Sequence, residues 1–523
     1  MADGMIALDP DPAWKAMKKA GKRVFQSLGE LRDTQIMMEW IEKLAPAIPH
    51  SSMATAPSPT SAQQVLPPPS EASESQDAAA SSSNAPNEPS TDPAQALLAI
   101  LRQRETVQKH AARATLDQFD RKQWRQWSKT LPPRAARIRP GSAVFKHLAL
   151  ERWTTARELH TRAMRNRSQI ALHTLRIGIK RFRYIVENFL PAEHKMWSND
   201  LKHMQDLLGE IHDFDVLWAT AVSCRVFHDP ESRRAWHERI KEERAKRIDE
   251  YRARMAGPTS LWNVWRVGLP QGKRVQQIAT ERMKLWARAL DPDFAHSERV
   301  SRFALELFDG LRSQGLLGTS DSVSASSTSD ERSALYIAAL LHDVGKTHGN
   351  KGHHKESQTL IQEHVAPLGW SAEAMQRAAV IARFHAGALP ARRHRLLRDF
   401  SPDQQTMIIR LAAILRLANA FDAEHDGRIK RVKVESPIEQ SRTGQSRTNR
   451  LKMSRSRISP SINSRTNGFR PRSLPLSRNE ALFIAAEGYL PRSSTAQRIA
   501  AERYLLETVL RHPVIVKAVA RAS

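Results

Sequence analysis

Residues Leu172 to Leu190 read LHTLRIGIKRFRYIVENFL, and Leu208 to Thr220 read LGEIHDFDVLWAT. In the first stretch Leu172, Leu175, Ile179, Phe182 and Val186 step by three and four, which puts them on one helix face and predicts that this face is buried. His173, Arg176, Lys180 and Arg183 follow the same steps one residue later, about 100° around the cylinder. At ~1.5 Å per residue they make a row of cations about 15 Å long. The row is expected to lack an acidic i+4 partner within its own helix and so to be open to an external anion.

The second stretch has an echo. LGELRDTQIMMEW, Leu28 to Trp40, says nearly the same thing 180 residues earlier, and Lys22 and Lys202 each stand six residues ahead of the Leu-Gly pair. Apolar residues again recur at helical spacing, as in Leu201, Met204, Leu208 and Ile211. A repeat of this length implies a duplicated helical hairpin packed in a bundle.

The chain of 523 residues carries a formal net charge of +26. Such an excess points to polyanionic partners: nucleic acid, anionic lipid or polyphosphate. The single cysteine, Cys224, excludes an intramolecular disulfide and a Cys-based zinc site, and it suits a reducing cytoplasm. No run of about 18 apolar residues is present, so no membrane partner is expected. The N-terminal stretch also lacks a signal-peptide core. From Ser51 to Asp92 there is no Lys, Arg or aromatic residue. That stretch cannot bury enough apolar surface to offset its ordering entropy and is read as disordered. From Gln440 to Asn479 there are many arginines and no Asp or Glu, which reads as a flexible basic loop.

After Pro270 the character changes. HSERVSRFALELFD opens a helix with His296, ALYIAALLHDVGK ends one with His342 and Asp343, and RLAAILRLANAFD ends another with Asp422. Imidazole and carboxylate groups suit a divalent metal. Delivered by separate helices, four such groups can converge in a bundle core and leave room for water and phosphate oxygen.

LHTLRIGIKRFRYIVENF followed by LKHMQDLLGEIHDFDVL resembles the second half of a CHAD domain, an all-helical, internally duplicated fold, over roughly residues 13–45 and 97–250. The resemblance implies inorganic polyphosphate held by basic side chains in a channel between two helical halves, here His173, Arg176, Lys180, Arg181, Arg183 and Lys202. Asp213 is expected to hold the bundle together rather than meet the polyanion. No counterpart of the basic helix precedes AWKAMKKAGKRVFQSLGELRD, although Lys15, Lys18, Lys19, Lys22 and Arg23 remain. Either the recorded start lies downstream of the true one or the channel is incomplete.

The order His, His-Asp, Asp resembles the HD-domain metal phosphohydrolases. HSERVSRFALELFD, LLHDVGK, GHHKESQTLI and IARFHAGALP further resemble the C-terminal helical domain of the exopolyphosphatase and guanosine pentaphosphate phosphatase family, over about residues 270–430. This resemblance implies one divalent metal, Mn, Mg, Fe or Zn, held by His296, His342, Asp343 and Asp422. His353, His354 and His385 are candidate ligands of a second; Glu356 stands where the relatives carry a histidine. Asp343 would also orient a water, while Lys346 and Arg383 would contact phosphate and offset developing charge. His348, His364, His394 and His425 are read as surface or packing residues. In that family polyphosphate hydrolysis belongs to N-terminal lobes with glycine-rich phosphate loops, which are not found in the first 260 residues here. Any catalysis is therefore expected from the HD metal.

The expected fold is mainly α: a duplicated CHAD-like helical bundle, then an all-helical HD domain with a small C-terminal β element. Its expected segments are 1–50 and 96–255 for the bundle, separated by the disordered 51–95. The HD domain follows at 256–430, then the basic loop with a short strand at 431–480, and a strand and helix at 481–523. The expected function is a cytoplasmic polyphosphate-binding protein with a metal-dependent HD phosphohydrolase domain. Its alternative is a non-catalytic polyphosphate-binding or targeting protein whose HD fold is structural. Nucleic acid is the weakest partner expectation, since neither a recognition helix nor basic residues interleaved with stacking aromatics are read in the chain.

Overall fold

The computed structural model describes residues 2–44, 92–317, 325–435 and 481–519, with only the backbone described at 325–329. Of the expected disordered insertion 51–95, residues 51–91 lie outside these residues, whereas Asp92 caps a helix that begins at Pro93, so its last residues are helical instead; most of the expected basic loop also lies outside. The fold is mainly α, as the periodicity predicts. The first unit comprises α1 (Ala2–Ile6), α2 (Pro12–Leu44), α3 (Pro93–Asp117), α4 (Arg121–Ala135), α5 (Ala143–Asn166), α6 (Gln169–Phe189), α7 (Pro191–Ser223), α8 (Pro230–Met255) and α9 (Leu261–Val267).

Helix α6 starts where Ser168 caps it by accepting from the Ala171 N–H, and it stops before Pro191, which opens α7. Its predicted stripe is buried: Leu175, Ile179, Phe182 and Val186 are all 0% exposed. Gly178 lets α5 approach this helix, because a β-carbon there would sit 2.8 Å from Leu159 Cδ1. The two copies of the repeat fall on α2 and α7, which pack together through Met37, Ile41, Phe214 and Leu217.

The boundary expected at residue 256 lies further on. Trp262 and Trp265 of α9, followed by Leu269, belong to the core of the first unit. The second unit begins with α10 (Lys273–Arg288) and continues through α11 (Phe294–Ser313), α12 (Ala325–Leu341), α13 (His353–Glu363), α14 (Ala372–Arg383) and α15 (Pro402–Ala420). Strand β1 (Arg431–Val434) pairs antiparallel with β2 (Leu482–Glu487), which pairs parallel with β3 (Val514–Val519). The parallel pair needs a crossover, and α16 (Ser494–Leu510) supplies it. β3 follows that helix as the third strand of the small C-terminal β element. No helix among the described residues is long and apolar enough to cross a membrane.

A buried polar network joins the units. Arg282 of α10, 4% exposed, donates to His147 Nδ1 at 3.0 Å and pairs with Glu151 at 2.6 Å, both on α5. Arg282 occupies His147 Nδ1, so Nε2 donates to the Leu368 carbonyl at 2.8 Å, while the Leu368 N–H donates to Glu151 at 2.8 Å. Burial, with the Arg282 charge beside it, holds His147 below the usual imidazole range. Breaking such a pair leaves Glu151 uncompensated. Arg282→Ala should cost about 3 kcal/mol and separate the melting of the two units, as read by calorimetry against the parent.

Candidate polyanion face and metal centre

In the cationic stripe of α6, His173 and Arg176 meet α7, and Asp33 of α2 lies in the field of Arg176 and Lys180. Arg176 and Lys180 are half-buried, Arg181 and Lys202 exposed. The stripe is partly matched from within, contrary to expectation: Arg183 lies 3.7 Å from Glu187 at i+4, and Lys180 lies 5.7 Å over the Tyr184 ring. His173 Nδ1 is 3.3 Å from His212 Nδ1 of α7. Burial lowers His212 to about 4, with Arg176 and His173 adding to the effect.

The repeat brings its two aspartates into one electrostatic neighbourhood. Asp213 is pushed up to about 6, first by burial and then by Asp33, against the pull of Arg176 and Arg32. Burial also raises Asp33, opposed by Arg176 and Arg32. Asp213 therefore stands among the cations of the stripe as well as inside the bundle. Its folded pKa exceeds the ordinary value, so its contribution is fully present below about 3.8 and is lost as pH rises through about 6. Asp213→Asn should accordingly raise the melting temperature at pH 8 and leave it unchanged at pH 3.5, as read by thermal unfolding at both pH values.

In the second unit the chemistry gathers at helix ends. His296 is in the first turn of α11, whose cap Asp293 accepts from its N–H. His342 and Asp343 follow the end of α12, His353 starts α13, His385 follows α14, and Asn419 and Asp422 flank the end of α15. Gly345 permits the approach of α13, since a β-carbon there would run into the backbone of His353 and Ser357.

Asp343, 2% exposed, is the hub. Its carboxylate lies 3.3 Å from His342 Nε2, 3.4 Å from His353 Nε2, 3.6 Å from His385 Nε2 and 3.8 Å from His296 Nε2. Lys346 Nζ donates to it at 2.6 Å. Although burial would raise it, the surrounding cations, His342 foremost, hold this carboxyl far below the usual range. Burial would lower His342, but Asp343 holds it above the ordinary value. Burial sends His385 well below its own.

The ring orientations test whether a metal fits. Nδ1 of His342, His353 and His385 faces the carbonyls of Ala339, Asn350 and Ala382 at 2.8, 2.8 and 2.7 Å. A carbonyl only accepts, so each Nδ1 carries a proton, and each Nε2 is the atom turned toward Asp343 and left to bind an ion. His353 Nε2 and His385 Nε2 then face one another at 2.9 Å, a spacing that calls for a shared proton or a cation. The buried Nε2 of His342 has no aligned hydrogen-bond partner. Two groups could hold an ion among the described residues: His296, His342 and Asp343, and Asp343, His353 and His385. The donor set fits a divalent metal.

Asp422 is in neither group. Its Oδ2 accepts from Arg299 at 2.8 Å and lies 2.7 Å from His296 Nδ1, so it stands behind His296 instead of converging with it. His354 lies outside both groups, Glu356 turns to His348 at 3.1 Å, and Arg383 packs 5.7 Å over Phe384. A cleft of about 390 Å³ opens over the hub, lined by Lys346, His353, His385, Asn419, Arg416 and Arg498 among others, but not by Arg383. His425 also lines it, stacked 3.9 Å from His296, so that it belongs to the site rather than to the surface. His364 packs on Trp286 and His394 on Phe384, as a packing role predicts. Sequence reasoning missed Arg416, Asn419 and Arg498. The first two step by three toward Asp422 and were findable; Arg498 arrives on α16 with no local signal.

Residues 6–222 match the CHAD domain, and residues 283–454 match Ppx/GppA phosphatase, domain III. The two matches support a CHAD plus Ppx/GppA-like C-terminal domain architecture, the one that the two sequence patterns imply. A search of curated proteins returned no match.

Proposed function

We propose that this is a cytoplasmic polyphosphate-binding protein whose second unit is a metal-dependent phosphohydrolase. The observation that carries the reading is the convergence of three imidazole Nε2 atoms on one buried carboxylate. The cationic stripe on α6 is the polymer-binding element, with Arg176 and Lys180 at its centre.

Asp343, His353 and His385 would hold one divalent ion, with His342 beside them; His296 would join His342 and Asp343 on a second by exchanging its Nε2 contact with Asn419 for the ion. Such an ion supplies Lewis acidity and a water of lowered pKa. The chain's own residues do the rest. Asp422 and Asn419 fix the His296 ring from both sides, at 2.7 and 2.9 Å. Lys346 moves between the Asp343 carboxylate and a phosphate oxygen, offsetting charge that develops there. Arg416, locked by Glu502 at 2.7 Å and by the Phe384 carbonyl at 3.0 Å, is a fixed cation at the cleft wall. Arg498, 59% exposed at its side chain, reaches a more distal phosphate. These cations take over the part expected of Arg383.

One feature favours the non-catalytic alternative: the Lys346 ammonium already neutralises Asp343 at 2.6 Å. The two readings separate in one experiment. His342→Ala should lower the content of bound divalent metal and abolish phosphate release from polyphosphate or nucleotides, leaving polyphosphate affinity unchanged. A parent protein that stays metal-free after reloading with Mn²⁺, Mg²⁺ and Zn²⁺ would instead leave a binding protein with a structural second unit.

The binding half is tested separately. Arg176→Ala with Lys180→Ala should weaken polyphosphate binding about tenfold or more and reduce its salt dependence, with helical content retained. Neither side chain belongs to the buried stripe. Equal affinity of the double variant and parent across a salt titration would contradict the assignment.

A further inference from the structure

A second basic surface lies on α2 and α4. Helix α4 begins RKQWRQWSK, Arg121 to Lys129, basic residues interleaved with tryptophans, which corrects the earlier expectation that the chain has no such pattern. Arg121, Lys122, Arg125 and Lys129 are exposed, and none has an ion-pair partner among the described residues. Opposite them, α2 runs from Pro12 to Gly29 without an acid and presents Lys19, Lys22 and Arg23 to solvent.

An aromatic strip runs between the two sets of cations. Trp124 lies 5.3 Å from Phe119 and 6.4 Å from Trp127. Gly21 of α2 joins Phe25 to the strip: a β-carbon there would lie 3.1 Å from the Phe25 ring and 3.5 Å from Trp124. Phe25 is 68% exposed. The internal repeat shows that the fold does not require it, because the counterpart of Phe25 in α7 is Gln205. Leu28 beside it is 39% exposed, whereas its counterpart Leu208 is 1% exposed. Phe25 and Leu28 therefore lie open beside the exposed cations of α2 and α4.

We propose that this face of α2 and α4 binds single-stranded nucleic acid. The cations track the phosphates, and the rings accept base faces. Polyphosphate matches the charges but has nothing flat and apolar to cover Phe25 and Trp124. A duplex keeps its base faces stacked inside. Of these three polyanions, the single strand offers both phosphates and open base faces.

The test uses the full chain and fluorescence polarisation of a short labelled oligothymidylate, with sodium polyphosphate, duplex DNA and phosphatidylglycerol vesicles as parallel arms. Phe25→Ala with Trp124→Ala should weaken oligothymidylate binding about tenfold and leave polyphosphate affinity unchanged. Arg125→Gln with Lys129→Gln should reduce the salt slope of oligothymidylate binding by about 0.7 for each lost phosphate contact. Phe25→Tyr, which keeps a ring at an exposed position, should bind like the parent. The Arg176→Ala and Lys180→Ala variant should keep oligothymidylate binding, so the result does not depend on the polyphosphate reading. Four results would overturn the proposal: no oligothymidylate binding by the parent, equal binding by the aromatic double variant, parallel loss of polyphosphate affinity, or ring-dependent binding to vesicles alone.

Discussion

A carboxylate as buried as Asp343 must be matched by positive charge or by metal, and the second unit is arranged around that requirement. Backbone carbonyls fix the tautomers of His342, His353 and His385, so their Nε2 atoms converge on it. Those carbonyls sit at helix ends and in the connecting turns, where intrahelical hydrogen bonding leaves them available. The junctions of α12, α13 and α14 therefore place the site, and the close approach allowed by Gly345 keeps α13 in register with it.

The first unit answers a different electrostatic constraint. Its stripe of cations is placed between the repeated helices, where Asp33 and Asp213 share the field of Arg176. The duplication thus brings like charges together, and the cations of α6 and Arg32 offset their repulsion. A polyanion bound there, as proposed, would compete with these carboxylates for the same side chains. That the two units meet through Arg282, Glu151 and His147 places both sites in one connected body.

Much of this was legible in the sequence. The three-and-four spacing of Leu175, Ile179, Phe182 and Val186 predicts α6, and the LGELRD and LGEIHD echo predicts its duplicated setting. The His-Asp pair locates the hub because both residues follow an apolar helical run. What sequence spacing could not give were contacts between distant segments. Glu151 meets Leu368, Asp422 turns to His296 and Arg299, and Arg498 enters the cleft from the last helix. Each depends on how helices pack, on which local periodicity is silent. The change of character after Pro270 marked the start of the second unit more closely than the segment boundary at 256, because Trp262 and Trp265 pack in the first core.

The central claim is that Asp343 and the imidazoles around it form a metal centre. It is tested most directly by an anomalous difference map from crystals grown with Mn²⁺, recorded above and below the manganese absorption edge. The account predicts an anomalous peak between Asp343, His353 and His385, with Lys346 displaced from the carboxylate. A map without a peak there, and with Lys346 still bonded to Asp343, would contradict it.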